Sequence, residues 1–468
     1  MISPSFKRNQ LIHYLTLIFS VLLICLFCLS CKNDVSNVKQ SKEPVLFRVC
    51  GLDSLWGFLD ETGKEVVPCQ YYYVWDFSEG FASVRDTFGL YGLIDKTGKE
   101  VVPCQYNVVG DFSEGFARVK NANGLWGFIN ETGKEVITCQ YDYVWDFYEG
   151  LAQVENENGL WGFINKTGKE IVPCQYEDTW NFSEGLARVE SMNGLWGFID
   201  ETGKEVIPCQ YDYAEDFFEG LAAVKSTNGL LEYIDKTGKE VVSCQYEWVG
   251  NFSEGLAAVK STNDLMGLID KTGKEVVPCQ YEWVGNFSEG LAAVKSVNGL
   301  MGLIDKTGKE VVPCQYEWLD IFSEGLAGVE NTNGLWGFID NTGKEIVPCQ
   351  YEDVWSFSEG LAPIKNTKGF YGSIDKTGKE VIPCQYDDVR SFSEGLAAVM
   401  NTKGLWGFID KTGKEVIKFI YSEVSSFVDG YAIVANSNGL YGVVDKTGDE
   451  VVPCRYKHIA YNRVISNE

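Results

Sequence analysis

The chain has 468 residues, with 66 Asp and Glu against 40 Lys and Arg, so its formal net charge is -26. A surface this acidic repels nucleic acid and anionic lipid, which excludes nucleic-acid-binding proteins. The two histidines, His13 and His458, stand near opposite ends of the chain, so the sequence offers no histidine-based triad or His-rich metal site.

Residues 1–31 have the layout of a secretory signal. Lys7 and Arg8 precede an apolar run from about Leu15 to Leu29. This run is short for a membrane-spanning helix, so a cleaved leader is favoured over the alternative, an uncleaved membrane anchor. Residues 32–43 are polar and lack aromatic side chains, which predicts a flexible tether.

The leader ends in a small residue, Ser30, immediately before Cys31. This ending resembles the lipobox of bacterial lipoproteins, in which the cysteine is lipidated and becomes the first residue of the mature chain. Cys28 stands where that family prefers Leu. The resemblance implies lipidation at Cys31, export, and a lipid anchor in a bacterial membrane, either the outer membrane or the cell surface.

From residue 44 to residue 468 a 35-residue unit repeats without an insertion, which predicts one repeat domain whose units bury their faces by stacking. Twelve aromatic or apolar residues head the units, namely Trp56, Tyr91, Trp126, Trp161, Trp196, Leu231, Met266, Met301, Trp336, Tyr371, Trp406 and Tyr441.

Each unit reads as an antiparallel β-meander of three or four strands, so the predicted fold class is all-β. In the fifth unit a strand from Trp196 to Asp200 is followed by a turn at Thr202-Gly203 and by a second strand. We expect Gly203 to be left-handed after a type I turn, where other residues carry a Cβ penalty. A further turn is predicted at Glu219-Gly220.

The motif Gly-Leu-Trp-Gly-Phe-Ile-Asp at residues 194–200, followed by Thr-Gly-Lys-Glu-Val-Ile-Pro, is similar to the bacterial WG-repeat (Trp-Gly β-repeat) family. The resemblance covers essentially the whole chain after the leader and implies an all-β repeat array. The sixth unit departs from the motif, with Leu231-Glu232 in place of Trp-Gly. The family is poorly defined biochemically, so the resemblance carries the fold and not a function.

Two architectures fit these units, a propeller-like ring and an open β-superhelix or solenoid. Leu46 to Cys50 matches one strand of a unit, and Tyr456 to Tyr461 supplies the strand missing before it, so one end could complete the other. Twelve units exceed the usual four to eight blades of a propeller, which favours either two rings or one large curved array. Gly197 is expected to lie against a bulky ring of the next unit.

The tryptophans that head the units are predicted to pack in the core. More exposed rings are expected in the variable strand, at Trp75, Trp145, Trp180, Trp248, Trp283, Trp318 and Trp355. Of these, Trp248, Trp283 and Trp318 are the candidate ligand-binding residues.

Eleven of the fifteen cysteines hold the same position in their units, namely Cys69, Cys104, Cys139, Cys174, Cys209, Cys244, Cys279, Cys314, Cys349, Cys384 and Cys454. This pattern lacks the paired C-x-x-C spacing of zinc sites. Stacked sheets lie about 10 Å apart, too far for a disulfide, so we expect mostly free, buried thiols and no metal.

The residues present in every copy serve the unit, so we expect neither an enzyme nor a cofactor. Two functions remain. The first is a membrane-anchored lipoprotein that acts as a binding or scaffold module for a protein partner at the cell envelope. The alternative is binding of carbohydrate or an envelope polymer through the repeated exposed aromatics.

Overall fold

The computed structural model describes residues 45–462 apart from 230, 245 and 289. The predicted leader 1–31 with Cys31, and the tether 32–43, lie outside the described residues. The described part is all-β, in antiparallel sheets.

In chain order the strands are β1 (Leu46–Cys50), β2 (Trp56–Asp60), β3 (Glu65–Tyr71), β4 (Tyr73–Val74), β5 (Phe81–Arg85), β6 (Tyr91–Asp95), β7 (Glu100–Tyr106), β8 (Val108–Ser113), β9 (Phe116–Lys120), β10 (Trp126–Asn130), β11 (Glu135–Tyr141), β12 (Tyr143–Val144), β13 (Leu151–Glu155), β14 (Trp161–Asn165), β15 (Glu170–Tyr176), β16 (Asp178–Thr179), β17 (Leu186–Glu190), β18 (Trp196–Asp200), β19 (Glu205–Ala214), β20 (Leu221–Ser226), β21 (Leu231–Asp235), β22 (Glu240–Cys244), β23 (Trp248–Val249), β24 (Leu256–Lys260), β25 (Met266–Asp270), β26 (Glu275–Val284), β27 (Leu291–Ser296), β28 (Met301–Asp305), β29 (Glu310–Tyr316), β30 (Trp318–Leu319), β31 (Leu326–Glu330), β32 (Trp336–Asp340), β33 (Glu345–Tyr351), β34 (Asp353–Val354), β35 (Leu361–Lys365), β36 (Tyr371–Asp375), β37 (Glu380–Tyr386), β38 (Asp388–Val389), β39 (Leu396–Met400), β40 (Trp406–Asp410), β41 (Glu415–Tyr421), β42 (Glu423–Val424), β43 (Tyr431–Ala435), β44 (Tyr441–Asp445), β45 (Glu450–Tyr456) and β46 (His458–Tyr461).

Four strands form one antiparallel sheet, which we call a blade. Blade 2, for example, has the order β4-β5-β6-β7, with a short first strand at one edge and a long fourth strand at the other. β19 and β26 each run from one blade into the next, so blades 5 and 6 share a seven-stranded sheet, as do blades 7 and 8. Blade 1 takes its first strand from the end of the chain, in the order β3-β2-β1-β46.

The predicted turn at Thr202-Gly203 is confirmed. Gly203 has φ +82° and its N–H donates to the Asp200 carbonyl at 2.8 Å. The Asp200 carboxylate accepts hydrogen bonds from the Thr202 hydroxyl and backbone N–H and from the Lys204 N–H. The side chain thus closes the loop that the glycine permits, which explains why Asp or Asn precedes this turn in the repeats.

The second predicted turn, at Glu219-Gly220, is also confirmed and belongs to a two-residue hairpin. Both residues have positive φ, 52° and 85°, which is the type I′ geometry that matches the twist of paired strands. Glycine adopts this conformation freely, whereas a glutamate there carries a steric cost.

The expectation for Gly197 is wrong. A Cβ at this position would lie 2.6 Å from the Ile207 carbonyl oxygen and 2.6 Å from the Cys209 nitrogen, in the neighbouring strand of its own blade. Phe198 pairs with Ile207 while Trp196 pairs with Tyr211, so the residues between them bulge over Gly197. The glycine of the Trp-Gly pair accommodates this bulge and not a ring from the next unit.

The blades pack face to face through apolar clusters, one at each junction. At the junction of blades 5 and 6, the rings of Phe198 and Phe217 meet with centroids 4.8 Å apart. Clusters of this kind join every successive pair of blades in the described chain, and the last one joins blade 12 to blade 1. The faces that one unit leaves apolar are therefore covered by its neighbours.

The described chain forms one closed, propeller-like ring of twelve blades. β46 pairs with β1, with Phe47 opposite Tyr461 and Cys50 opposite His458. The prediction that the ends complete one blade is thus confirmed, whereas the alternatives of two rings and of an open superhelix are wrong. Closure removes the two unpaired faces that an open array would expose to solvent.

The cysteines in the repeated position whose side chains the structure describes are free, as predicted, but half-buried rather than buried. Cys209 lies in the bulge, and its thiol reaches across Gly197 to the Val189 carbonyl, with Sγ and O 3.8 Å apart. The bulge turns the thiol along the sheet, while the side chain still packs against the apolar cluster at the junction of blades 4 and 5. The tryptophans that head the units are buried at Trp126 and Trp406 and half-buried in the other units with Trp, so the predicted core packing holds in part.

Candidate ligand-binding surface

Four aromatic side chains hold the same position in four consecutive blades, and we call them the aromatic track: Tyr213, Trp248, Trp283 and Trp318. Their exposed fractions are 44%, 47%, 44% and 47%. Each lies at the first-strand edge of its blade, in β19, β23, β26 and β30. The predicted exposure of the three tryptophans is confirmed; their binding role remains a prediction.

The edge strands point these rings outward by simple alternation. In blade 7, Trp248 pairs with Lys260, and the next residue, Val249, pairs with Val259 in the apolar cluster. Because successive side chains of a strand face opposite sides, burial of Val249 places Trp248 at the surface.

The other four tryptophans predicted to be exposed belong to a different position, two residues further along the unit. Trp145, Trp180 and Trp355 are exposed, whereas Trp75 is half-buried. The sequence did not distinguish the two positions, because they lie only two and four residues after the tyrosine of the repeated Cys-Gln-Tyr segment. In blades 2 and 4 the two positions contact each other, with ring centroids 4.6 Å apart for Tyr73 and Trp75 and 5.4 Å apart for Tyr143 and Trp145.

In blades 7 and 8 the second position is glycine, and this fixes the indole rings. A Cβ at Gly250 would lie 2.9 Å from the outer edge of the Trp248 ring, and one at Gly285 would lie 2.6 Å from that of Trp283. In blade 9 the residue is Asp320, whose carboxylate accepts a hydrogen bond from Trp318 Nε1 at 2.8 Å. Each indole therefore has a defined support from its own strand.

The aromatic track lies in a negative field. An exposed glutamate, Glu247, Glu282 or Glu317, directly precedes each tryptophan. Lys295 offsets one of them, with Nζ 3.4 Å from Glu282. Burial raises the pKa of Asp320, against the lowering effect of the Trp318 hydrogen bond. Exposed indoles among carboxylates favour a ligand that carries both apolar and cationic or hydroxyl groups.

A cleft of about 230 Å³ opens at one end of the aromatic track, between blades 6 and 7. Its lining comprises Tyr213, Glu215, Ala223, Leu231, Glu247, Trp248 and Val249. The Tyr213 hydroxyl donates a hydrogen bond to the Glu215 carboxylate. Burial raises the pKa of Tyr213, and the carboxylate of Glu215 adds to that effect.

This cleft coincides with the departure in the sixth unit. Leu231, which replaces the motif tryptophan, forms part of its wall. A second concavity, of about 360 Å³, is lined by Gln315, Tyr316, Asn331, Glu345, Pro348 and Cys349. Most of these residues recur in the other units, so that concavity belongs to the structure of the unit rather than to one site.

Several of the repeated cysteines have thiols whose pKa burial raises well above the ordinary value. Burial raises the pKa of Cys104, Cys139 and Cys174 to about 11, so their thiols are protonated at neutral pH. Within the described ranges, no group of three or more His, Cys, Asp or Glu residues is placed to hold a metal ion. No helix in that part of the chain is long and apolar enough to cross a membrane.

The repeats match a family model described as WG containing repeat, at residues 56–86, 91–126, 126–160, 161–196, 196–230, 233–264, 266–300, 301–336, 336–368, 371–404, 406–440 and 441–462. No curated protein sequence matches the chain.

Among solved structures, the computationally designed Ika8 protein is 15% identical over 56% of this chain and 94% of its own, with a TM-score of 0.25. BamB from Moraxella catarrhalis is 10% identical over 57% of this chain and 95% of its own, with a TM-score of 0.24.

Proposed function

Because the chain belongs to the WG containing repeat family, and its repeats form a closed ring, we propose that it is a non-enzymatic binding module that presents the aromatic track to a protein partner. The observation that carries this proposal is the register of Trp248, Trp283 and Trp318. They occupy one position in three consecutive blades, and each is close to half exposed.

Tryptophan is the residue most enriched among the anchors of protein interfaces, because a large ring gains much from losing its contact with water. Exposed indoles that the fold does not need for its core are therefore unusual on a surface without a partner. Here the neighbouring glycine or aspartate supports each ring from one side, which leaves the ring ordered before a partner arrives. Such preorganisation lowers the entropy lost on binding.

The address of the protein is part of the proposal. The Lys7 and Arg8 pair, the apolar run and Cys31 support an exported lipoprotein, anchored through a lipid on Cys31 to a bacterial outer membrane or cell surface. The polar segment 32–43 would then separate the ring from the membrane and let it reach a partner at the cell envelope.

Carbohydrate or envelope-polymer binding is the second candidate. The observation in its favour is the repetition itself, since evenly placed indoles with adjacent glutamates offer successive apolar surfaces and hydrogen-bond acceptors to the units of a polymer. The two candidates share residues, so one set of variants tests both.

The experiment is crosslinking in intact cells with the natively lipidated protein, followed by mass spectrometry. The test variant is Trp248→Ala/Trp283→Ala/Trp318→Ala. The matched control, Trp145→Ala/Trp180→Ala/Trp355→Ala, removes as many exposed indoles from the other position. We expect the test variant to lose a partner that the wild type and the control retain, and Cys31→Ala to lose it through mislocalisation.

Equal capture by both triple variants would contradict the proposal. Retention of the protein on purified envelope polysaccharide is measured in parallel with the same variants. Loss of that retention in the test variant alone, with no protein partner captured, would replace the first candidate with the second.

A further inference from the structure

Three blades of the ring contain, at one shared position of the unit, an arginine that reaches into the next blade. Arg48, Arg118 and Arg188 hold the same position in blades 1, 3 and 5. In each case Nε lies about 3 Å from a carboxylate of the following blade, at distances of 3.0, 3.1 and 2.9 Å from Asp76, Asp146 and Asp216. Nη1 also donates to a backbone carbonyl of that blade, at Val74, Val144 and Ala214. The junction geometry thus builds a recurring guanidinium site.

The site at blade 5 shows how such a guanidinium is held. The Arg188 side chain is only 8% exposed. Its Cζ lies 4.1 Å from the centroid of the Trp180 ring and 5.4 Å from that of Trp196. Tyr213 stands close enough for the positive charge to lower the pKa of its hydroxyl, against the larger effect of burial. Aromatic rings, a carboxylate and a carbonyl oxygen together satisfy the planar cation.

One blade further on, alanine replaces this arginine. Ala223 lies 35 residues after Arg188, and the cleft between blades 6 and 7 opens beside it. Four of its six other lining residues correspond in the same way to the Arg188 site, with Glu215 for Trp180, Leu231 for Trp196, Trp248 for Tyr213 and Val249 for Ala214. The cleft is therefore the room that a guanidinium fills at the preceding junction.

We infer that this cleft binds an arginine side chain from a basic segment of the protein partner. The cation would lie beside the Tyr213 and Trp248 rings, with the carboxylates of Glu215 and Glu247 in the same cleft to balance its charge. A guanidinium fits better than an ammonium, because its flat faces can contact aromatic rings while its edge donates to carboxylates. The net charge of -26 also attracts a basic partner.

The next junction provides the comparison within the molecule. There Ala258 holds the arginine position, but Gly250 stands where the cleft has Glu215, and the Trp248 ring packs over that glycine. The junction of blades 7 and 8 therefore lacks the carboxylate that Glu215 supplies at the junction of blades 6 and 7. The inference therefore concerns the junction of blades 6 and 7. It rests on the proposed function, because it names the chemistry of the segment that the aromatic track would receive.

The probe is the peptide acetyl-Gly-Arg-Gly-amide, compared with the same peptide containing citrulline, a neutral residue of the same shape. Binding to the full-length protein in detergent is measured by saturation-transfer NMR titration. We expect the arginine peptide to bind at least about tenfold more tightly than the citrulline peptide. Ala223→Arg fills the cleft from the protein itself, as Arg188 does, and should weaken binding at least about tenfold. Ala258→Arg should leave it unchanged.

Equal binding of the two peptides, or unchanged binding by Ala223→Arg, would overturn the inference. Thermal unfolding checks that the variants fold; should Ala223→Arg not fold, Glu215→Gln decides, because it keeps the shape of the cleft and removes one charge. This variant should weaken binding of the arginine peptide several-fold and leave binding of the citrulline peptide unaffected.

If these tests fail while the Trp248/Trp283/Trp318 variant still loses its cellular partner, only this inference is wrong. If the peptide binds as expected but that variant keeps its partner, the proposed function is wrong.

Discussion

The Glu-Gly turns and the first-strand edges belong to the same blades, yet the turns keep the same residues from blade to blade whereas the edges do not. At the turns, one arrangement recurs from blade to blade. The Glu184 carboxylate of blade 5 accepts hydrogen bonds from the Gly220 N–H at 3.0 Å and from Lys236 Nζ at 3.1 Å, both in blade 6. Lys236 also donates to the Glu184 carbonyl at 2.8 Å. We call this set of contacts from one glutamate to the next blade a clasp. It explains why the position keeps a glutamate, although a left-handed backbone conformation is unfavourable for that residue.

The same Lys–Glu pair links successive blades at seven junctions of the described chain, namely Lys166–Glu114, Lys236–Glu184, Lys271–Glu219, Lys306–Glu254, Lys376–Glu324, Lys411–Glu359 and Lys446–Glu394. At the first-strand edges, by contrast, the outward residue changes between Tyr, Val, Asp, Trp, Glu and His. The difference indicates that repeated residues hold the ring together, while the edges vary from blade to blade, as the proposed binding of a particular ligand there requires.

The largest effect should follow from breaking ring closure. Deletion of residues 457–468 removes β46, and with it the Tyr461 contact with Phe47 and the backbone pairing of β1. We expect the free energy of unfolding to fall by about 5 kcal/mol, because buried aromatic surface and several backbone hydrogen bonds are lost together. Denaturant unfolding measures it, with deletion of 463–468 alone as the control. An unchanged midpoint would show that closure contributes nothing.

A repeated turn should be the next most sensitive feature. Gly203→Val places a β-branched side chain at φ +82°, where its Cβ would lie 2.9 Å from the Ile171 carbonyl oxygen of the preceding blade. We expect a loss of about 2–3 kcal/mol, from backbone strain and from the disturbed junction. Thermal unfolding checks this against Glu201→Val in the same turn, which should behave like wild type. Equal melting of the two variants would refute the role of the turn.

One repeated core position has been lost in blade 10, and restoring it should help. Ser373 stands where other units have Phe, Leu, Tyr or Val; it is fully buried, and its hydroxyl has no hydrogen-bond partner in the described part of the chain. Ser373→Leu should stabilise the protein by about 1 kcal/mol, because it buries apolar surface in place of an unsatisfied hydroxyl. A lower melting temperature would mean that the neighbours already fill the space.

The smallest effect per residue is expected at the clasps, and it should depend on pH. The hydrogen bond from Lys376 holds the pKa of Glu324 below its ordinary 4.5, although burial opposes it. The unfolded chain therefore binds more protons near that pH, so the stabilisation is present above about pH 4.5 and is lost as pH falls through the folded pKa.

In the variant Lys376→Gln/Lys411→Gln/Lys446→Gln, the free energy of unfolding should therefore depend less on pH below about pH 4.5 and less on salt concentration. At neutral pH the variant should lose less than about 1 kcal/mol per exposed pair. Melting temperatures between pH 3 and pH 7 measure this. The control Lys204→Gln/Lys239→Gln/Lys274→Gln changes as many lysines at another position of the equivalent turns in blades 5, 6 and 7. If the melting temperature of the Lys376/Lys411/Lys446 variant fell with decreasing pH as steeply as that of the wild type, the clasps would not stabilise the fold as expected.

The local structure of the repeats could be predicted from the sequence alone. The spacing of 35 residues gave the number and type of units, and the turn at Gly203 followed from the need for a left-handed residue. The exposure of Trp248, Trp283 and Trp318 also followed, since these residues vary while the rest of the unit does not. The cleft itself was missed, although the alignment of units carried a signal, the change from Arg188 to Ala223 at equivalent positions of neighbouring units.

The amino-acid sequence by itself determined the strands, their turns and their order, because each depends on neighbours a few residues away. Only the tertiary structure decided that twelve blades close into one ring, since closure depends on a small rotation between blades that adds up around the whole chain and on the pairing of β1 with β46. It also decided that Gly197 serves its own hairpin, that Glu184 clasps the next blade, and that Ala223 leaves a cleft. Each of these depends on atoms from distant parts of the chain.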